Sequence, residues 1–258
     1  HLKSLEIVDY DQKRNYRFSI TTQQGDAFLT DKSGTPLEGW NPYHFEKDII
    51  GSMRHFRIGG TDVFTVVLAN GEIFLLSRRA KVYKGFPLKF NLNTESDYHL
   101  RIGSNFKSSH WTLLTENGTL FQMNLKGEIL HKKQLYKPAT DTQFTLIKDS
   151  KNKKYVIAKA TNTKITLVND QDEIYFEKNH PLDKKILIQL FNNDNQGDYI
   201  VFNHIEDQYM RLFDLKGNLL SLSPLPNSNP IEMYNLGNST PKEIYLTNGK
   251  TLHAYTKP

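Results

Sequence analysis

The chain has 258 residues, 38% of them hydrophobic and 12% aromatic, a composition that supports a packed core and excludes a disordered chain. It contains no cysteine, which excludes disulfides, thiolate metal sites and a cysteine nucleophile. Its 33 basic and 28 acidic residues leave a net charge of +5, too mild and too dispersed to point to nucleic acid. No apolar run reaches the roughly 18 residues of a membrane span, and no signal-peptide pattern opens the chain. The first residue is His1 rather than Met, so a fragment or processed form is expected.

Short runs rich in β-branched and aromatic residues follow one another along the chain. One series reads LEIV at 5–8, HFRI at 55–58, HLRI at 99–102, QFTLI at 143–147, LIQLF at 187–191 and IEMYNL at 231–236. A second follows each of these: YRFSIT at 16–21, VFTVVL at 63–68, WTLLT at 111–115, YVIAK at 155–159, YIVFN at 199–203 and EIYLT at 243–247. These residue types favour strands, and VFTVVL is apolar on both phases, as a strand covered on both faces requires.

Next come hairpin signals: QG at 24–25, NG at 70–71, NG at 117–118, NT at 162–163 and NG at 248–249, with the fifth repeat departing as IEDQ at 205–208. Asn-Gly suits a two-residue type I′ turn, in which both central residues take positive φ. After a third strand run, a second turn series appears: DKSG at 31–34, SRRA at 77–80, NLKG at 124–127, NDQD at 169–172 and DLKG at 214–217. Asp, Asn or Ser at the first position of such a turn bonds the backbone ahead, and Gly at the fourth accepts positive φ. Ala80 and Asp172 lack that freedom, so these two turns are expected to differ in detail.

The turns recur about every 45 residues, with four short strands between them, which is the period of a β-propeller blade. The expected fold is an all-β propeller of about six four-stranded antiparallel blades. Its repeats run roughly over 3–48, 49–96, 97–140, 141–183, 184–228 and 229–258, the last one incomplete. Residues 1–258 thus read as a single propeller domain or a fragment of one, with closure of the last blade left to sequence upstream of His1 or left undone.

The phrases GTPLEGWNP, RRAKVYKGFPLKF and LTENGTLFQMNLKGEIL resemble the C-terminal propeller of a family of large, uncharacterised bacterial envelope proteins. The resemblance implies an extracytoplasmic address, a membrane anchor upstream and further blades; it supplies no catalytic residue. More distantly the repeats resemble quinoprotein and WD40-type blades. The segment Asp31 to Trp40 is similar to a quinoprotein blade signature whose Trp docks between blades, with Phe86 in its place one repeat later.

Candidate sites are few. Arg54, Arg57, His99 and Arg101 lie on innermost runs that alternate toward the propeller axis, with Arg57 and Arg101 in matching positions of FRIGG and LRIGS. Converging guanidiniums there would grip a carboxylate or phosphate, giving a small-molecule or glycan site that could be hydrolytic. NNDNQGDY at 192–199 alternates oxygen donors around a Gly, so Asn192, Asp194, Gln196 and Asp198 are candidate calcium ligands. Calcium is the one cofactor considered; otherwise none is expected. The basic clusters Arg78, Arg79, Lys81, Lys84 and Lys148, Lys151, Lys153, Lys154 read as solvated turns. No HExxH or GxSxG occurs, and NGKT at 248–251 lacks the earlier Gly and the helix of a phosphate-binding loop. The leading expectation is a non-catalytic module that binds an unknown protein partner in the cell envelope.

Overall fold

The computed structural model describes residues 2–10, 13–90, 93–94, 96–149, 152–180, 186–192, 197–221, 224–227, 229–234, 243–248 and 251–256. Among them there is no helix, and every paired strand runs antiparallel to its neighbour in the five blades and the final sheet described below.

Blade 1 holds β1 (Leu2–Asp9), β2 (Tyr16–Thr22), β3 (Asp26–Thr30) and β4 (Tyr43–His44) in sequential order. Blade 2 holds β5 (Ile49–Ile58), β6 (Thr61–Leu68), β7 (Glu72–Ser77) and β8 (Leu88–Lys89), and blade 3 holds β9 (His99–Arg101), β10 (His110–Leu114), β11 (Thr119–Asn124) and β12 (Ile129–Gln134). Blade 4 contains β13 (Gln143–Lys148), β14 (Tyr155–Ala160), β15 (Lys164–Val168) and β16 (Ile174–Asn179). Blade 5 contains β17 (Ile186–Phe191), β18 (Tyr199–His204), β19 (Tyr209–Asp214) and β20 (Leu225–Pro226). A final sheet has three strands, β21 (Glu232–Tyr234), β22 (Glu243–Asn248) and β23 (Thr251–Thr256). The fold is therefore all-β with propeller blades, five of them four-stranded. The chain divides into two compact units, His1–Leu135 with Phe144–Leu146, and Tyr136–Gln143 with Ile147–Pro258.

In the first unit the blades stack face on face, and β6 shows why its sequence is apolar on both phases. Phe64, Val66 and Leu68 pack with Val8, Leu29 and Trp40 of blade 1, whereas Val63 and Val67 pack with Leu100, Trp111 and Met123 of blade 3. Residues Val63 to Leu68 are all buried. Two aromatic pairs fasten these interfaces. Trp40 meets Phe64 edge-on at 5.3 Å, and its indole N–H donates to the Arg78 carbonyl at 2.9 Å. Phe86, nine residues past its own turn as Trp40 is past its own, meets Trp111 at 6.0 Å. Phe64 lies opposite Leu76 and Trp111 opposite Met123, each one residue before the turn, so the two receiving positions are equivalent. The Phe86 that departs from the quinoprotein-like signature is thus matched by a Trp on the receiving strand. Gly39, at φ +89, lets the chain ahead of Trp40 approach blade 2: a Cβ there would stand 2.4 Å from the Arg79 carbonyl oxygen.

Five Asx-type turns end the third strands, and all five share one geometry. The side-chain oxygens of Asp31, Ser77, Asn124, Asn169 and Asp214 each accept the N–H groups two and four residues ahead, at 2.8 to 3.4 Å. The fourth residue has positive φ in every one: Gly34, Ala80, Gly127, Asp172 and Gly217. The two turns without Gly therefore do not differ in backbone; Ala80 and Asp172 adopt the left-handed conformation at a cost of roughly 1–2 kcal/mol each. The hairpins differ from expectation in a second way. Of each Asn-Gly pair at 70–71 and 117–118 only the Gly has positive φ, and its N–H bonds the carbonyl three residues back, at 2.9 Å in both. A turn followed by one left-handed residue replaces the two-residue type I′ form. In the fifth blade Gln208 takes that left-handed role, with φ 54°. Gly249 of the last such signal lies outside the described residues.

Asp172 has a reason to stand where three other blades have Gly. Its carboxylate forms a close ion pair with the ammonium of Lys159 and accepts the Tyr136 N–H at 2.7 Å. Lys159 on β14 faces Thr166, three residues before its turn, in the register position held elsewhere by Ile20, Val66, Leu113 and Phe202. It is the one charged side chain in that apolar row and is only 5% exposed. Two departures from the repeat thus compensate each other inside one blade.

Asp172→Gly alone is expected to destabilise the protein by about 3–5 kcal/mol, less the roughly 1–2 kcal/mol recovered from the strained φ, because it strands a buried ammonium. The double variant Asp172→Gly/Lys159→Leu is expected to regain most of that loss. A double-mutant cycle by thermal or denaturant melting checks both, and additive effects would contradict the pairing.

Candidate functional site

The four residues placed on innermost strands do not share one environment. Arg54 reaches forward: its Nη2 lies 3.3 Å from Asp97, and its guanidinium covers the ring of fully buried Tyr98 at 4.9 Å. Burial holds the Asp97 carboxyl above its usual range despite Arg54. Arg57 reaches back and donates to the Tyr10 carbonyl at 2.6 Å. His99 is buried opposite Thr112, and Arg101 is exposed opposite His110. The likeness of FRIGG and LRIGS is also one residue out of register. Arg57 pairs with Asp62 and Arg101 with His110, so by distance to the following turn Arg101 corresponds to Phe56, and His99 to Arg54. A one-residue slip moves a side chain to the opposite face of a strand. Of the calcium candidates, Asp198 is held by the Lys154 ammonium at 2.9 Å and Asn192 ends just after β17; Asp194 and Gln196 lie outside the described residues.

A cavity of about 700 Å³ opens instead between blades 1 and 2 of the first unit, within the size range of small-molecule sites. Tyr10 comes from the residue just after β1, Arg17 from β2, Glu38 from the segment ahead of Trp40, Asp62 from β6, and Arg78 and Arg79 from the Ser77 turn. The basic pair that reads in sequence as a solvated turn therefore lines a concave site. Trp40 fixes that turn through its bond to the Arg78 carbonyl.

The electrostatics are layered. Asp62 is buried and accepts from His55 Nε2 at 3.0 Å, with Arg78 Nη1 at 3.5 Å. Burial holds His55 below its ordinary value, a tendency only partly offset by Asp62. The Tyr10 ring lies edge-on to His55 and Phe64, and the guanidiniums of Arg78 and Arg17 stand over it at 4.7 and 5.9 Å. Burial pushes the Tyr10 phenol up to about 12. Arg79 pairs with Glu38 at 3.1 Å.

The second unit has a smaller cavity of about 230 Å³, lined by His180, His204, Tyr209 and Arg211 among others, with His204 stacked on Tyr209 at 4.3 Å. Among the described residues no group of three or more His, Asp or Glu side chains is arranged to hold a metal.

Exposed apolar side chains recur at a single register position. Val82, Ile129, Ile174 and Leu219 each lie opposite the residue just before the Asx turn of their own blade, and each is exposed. Leu130 follows Ile129 and Tyr175 follows Ile174, both also exposed.

No protein-family model matches the chain, and no curated protein does. Solved structures match it over almost its whole length. BBS1N in complex with ARL6DN superposes with a TM-score of 0.61 at 14% identity, over 98% of this chain and 77% of that one. BamB from Moraxella catarrhalis gives 0.56 at 12% identity, over 100% and 76%. The C-terminal WD40 domain of Sif2 gives 0.57 at 15% identity, over 99% and 66%. At such identities the likeness is one of fold, and the fold is that of WD40 and BamB propellers.

Because His55 has a lower pKa folded than unfolded, the unfolded chain takes up its proton first on acidification. Its contribution is present above the unfolded value of about 6.5 and is lost as the pH falls below it. The melting temperature is expected to drop between pH 7 and pH 5, and to drop less steeply in His55→Gln. Identical slopes in the two proteins would contradict the assignment.

Proposed function

We propose that this chain is a non-catalytic binding module of a bacterial cell-envelope protein, acting outside the cytoplasm and holding a protein partner on the outer strands of its blades. The observation that carries this reading is the recurrence of exposed Val82, Ile129, Ile174 and Leu219 at one register position. Single exposed apolar residues are ordinary, but a position kept apolar and solvent-facing blade after blade costs solubility without serving the core. Paired neighbours such as Ile129 with Leu130 and Ile174 with Tyr175 add aromatic and branched surface of the kind that anchors interfaces. A propeller of the same architecture, BBS1N, was solved in complex with a protein, ARL6DN. The envelope address rests on the resemblance of the three quoted phrases. Arg54 and Arg57, turned toward different blades, weigh against a ligand gripped jointly by them in a central channel.

The test is quantitative copurification from cells that make the full-length protein, wild type beside Ile129→Asp/Ile174→Asp, with fractionation of the same cells. A defined partner recovered in near-stoichiometric amount with the wild type, at least tenfold less with the variant, at unchanged melting temperature and in the envelope fraction, is the expected result. Equal recovery with both proteins would refute the outer-strand surface, and a cytosolic protein would refute the address.

A further inference from the structure

Two residues lining the cavity between blades 1 and 2 carry hydrogen-bonding groups that no described residue uses. Tyr10 is only 8% exposed and lines the cavity, yet its hydroxyl has no hydrogen-bond partner among the described residues. A buried hydroxyl left unpaired costs roughly 1–3 kcal/mol, so such groups are normally satisfied. Arg17 shows the same pattern. Its Nη1 donates to the oxygens of Asn15 and Tyr16, all uncharged, while its Nε is buried without a partner. No described carboxylate forms an ion pair with Arg17, in contrast to Arg79 with Glu38 and Arg78 with Asp62.

Among the described residues lining the cavity, the charges are those of Arg17, Arg78 and Arg79 against Glu38 and Asp62, a surplus of one cation. Both unsatisfied groups are donors: the phenol stays protonated throughout the physiological range, and a guanidinium never loses its proton. An acceptor carrying negative charge is the complement of that set, because oxyanions take several donors at once and charge-assisted bonds are the stronger ones. Leu37 and the ring of Tyr83 supply apolar wall for the remainder of a ligand.

We infer that this cavity is a binding site for a small organic oxyanion, a carboxylate or phosphate ester, received by Arg17, the Tyr10 hydroxyl and Arg78. The site is separate from the outer-strand surface and stands or falls independently of it. Asp62, buried and shared between His55 and Arg78, orients the second guanidinium.

Isothermal titration of the intact chain with benzoate, phenyl phosphate and benzyl alcohol tests this. At least one anion is expected to bind saturably, the alcohol not at all, and the preferred anion identifies the headgroup. Arg17→Met is expected to weaken binding at least tenfold and Tyr10→Phe about threefold to tenfold, with melting temperatures close to wild type, since neither change removes an existing ion pair. Arg78→Met serves as a third probe. Absence of saturable binding by both anions, equal binding of the alcohol, or wild-type affinity in Arg17→Met and Tyr10→Phe would overturn the assignment.

Discussion

A four-stranded sheet with two apolar faces is not stable alone, and everything else in this molecule follows from how its blades cover one another. β6 is the clearest case, its alternate residues divided between the cores shared with blade 1 and with blade 3. Each large side chain fully buried there contributes about 1.5–3 kcal/mol. Turn chemistry then has a subordinate task, returning the chain within a few residues so that the next strand presents its faces in phase. The five Asx turns do this with one geometry, strong enough as a motif that Ala80 and Asp172 adopt positive φ to preserve it.

Where stacking is satisfied, polar residues are left to blade edges and to the seams between blades, and both candidate surfaces lie there. Tyr10 shows how seam and site are continuous: its ring packs in the core with Phe64, and the same residue lines the cavity. Arg78 is likewise held by its backbone in the Trp40 interface and by its side chain at Asp62. The scaffold thus orients the cavity's donors before any ligand arrives, which reduces the ordering that binding would require.

The strands and their period were legible because a pleated strand writes its burial into residue type, and the turns because Asp, Asn and Gly have specific backbone roles. What proved illegible depended on register or on distance in the chain. FRIGG and LRIGS look alike in letters, yet the pairing of Arg57 with Asp62 and Arg101 with His110 places the two arginines one residue apart. The cavity gathers Tyr10, Arg17, Asp62 and Arg78 from four separate segments, and no local pattern announces that they meet. Asp172 was conspicuous as a turn residue that should have been Gly, but its partner Lys159 looked like an ordinary strand lysine until the register put it in an apolar row. The exposed outer-strand residues were hidden in plain sight, because an apolar residue in a strand is read by default as core.

Blade-on-blade burial is tested most directly by exchanging the aromatic pair of one interface for the arrangement of the next. In Trp40→Phe/Phe64→Trp the first interface acquires the Phe-onto-Trp order of Phe86 and Trp111. Trp111 donates its indole N–H to Thr65, and Ser19 stands at the corresponding place on blade 1. Each single change is expected to lower the melting temperature, one by leaving a void and the other by overpacking, and the double variant to melt well above the sum of the two losses. Strictly additive losses would mean that Trp40 and Phe64 do not meet across stacked blades.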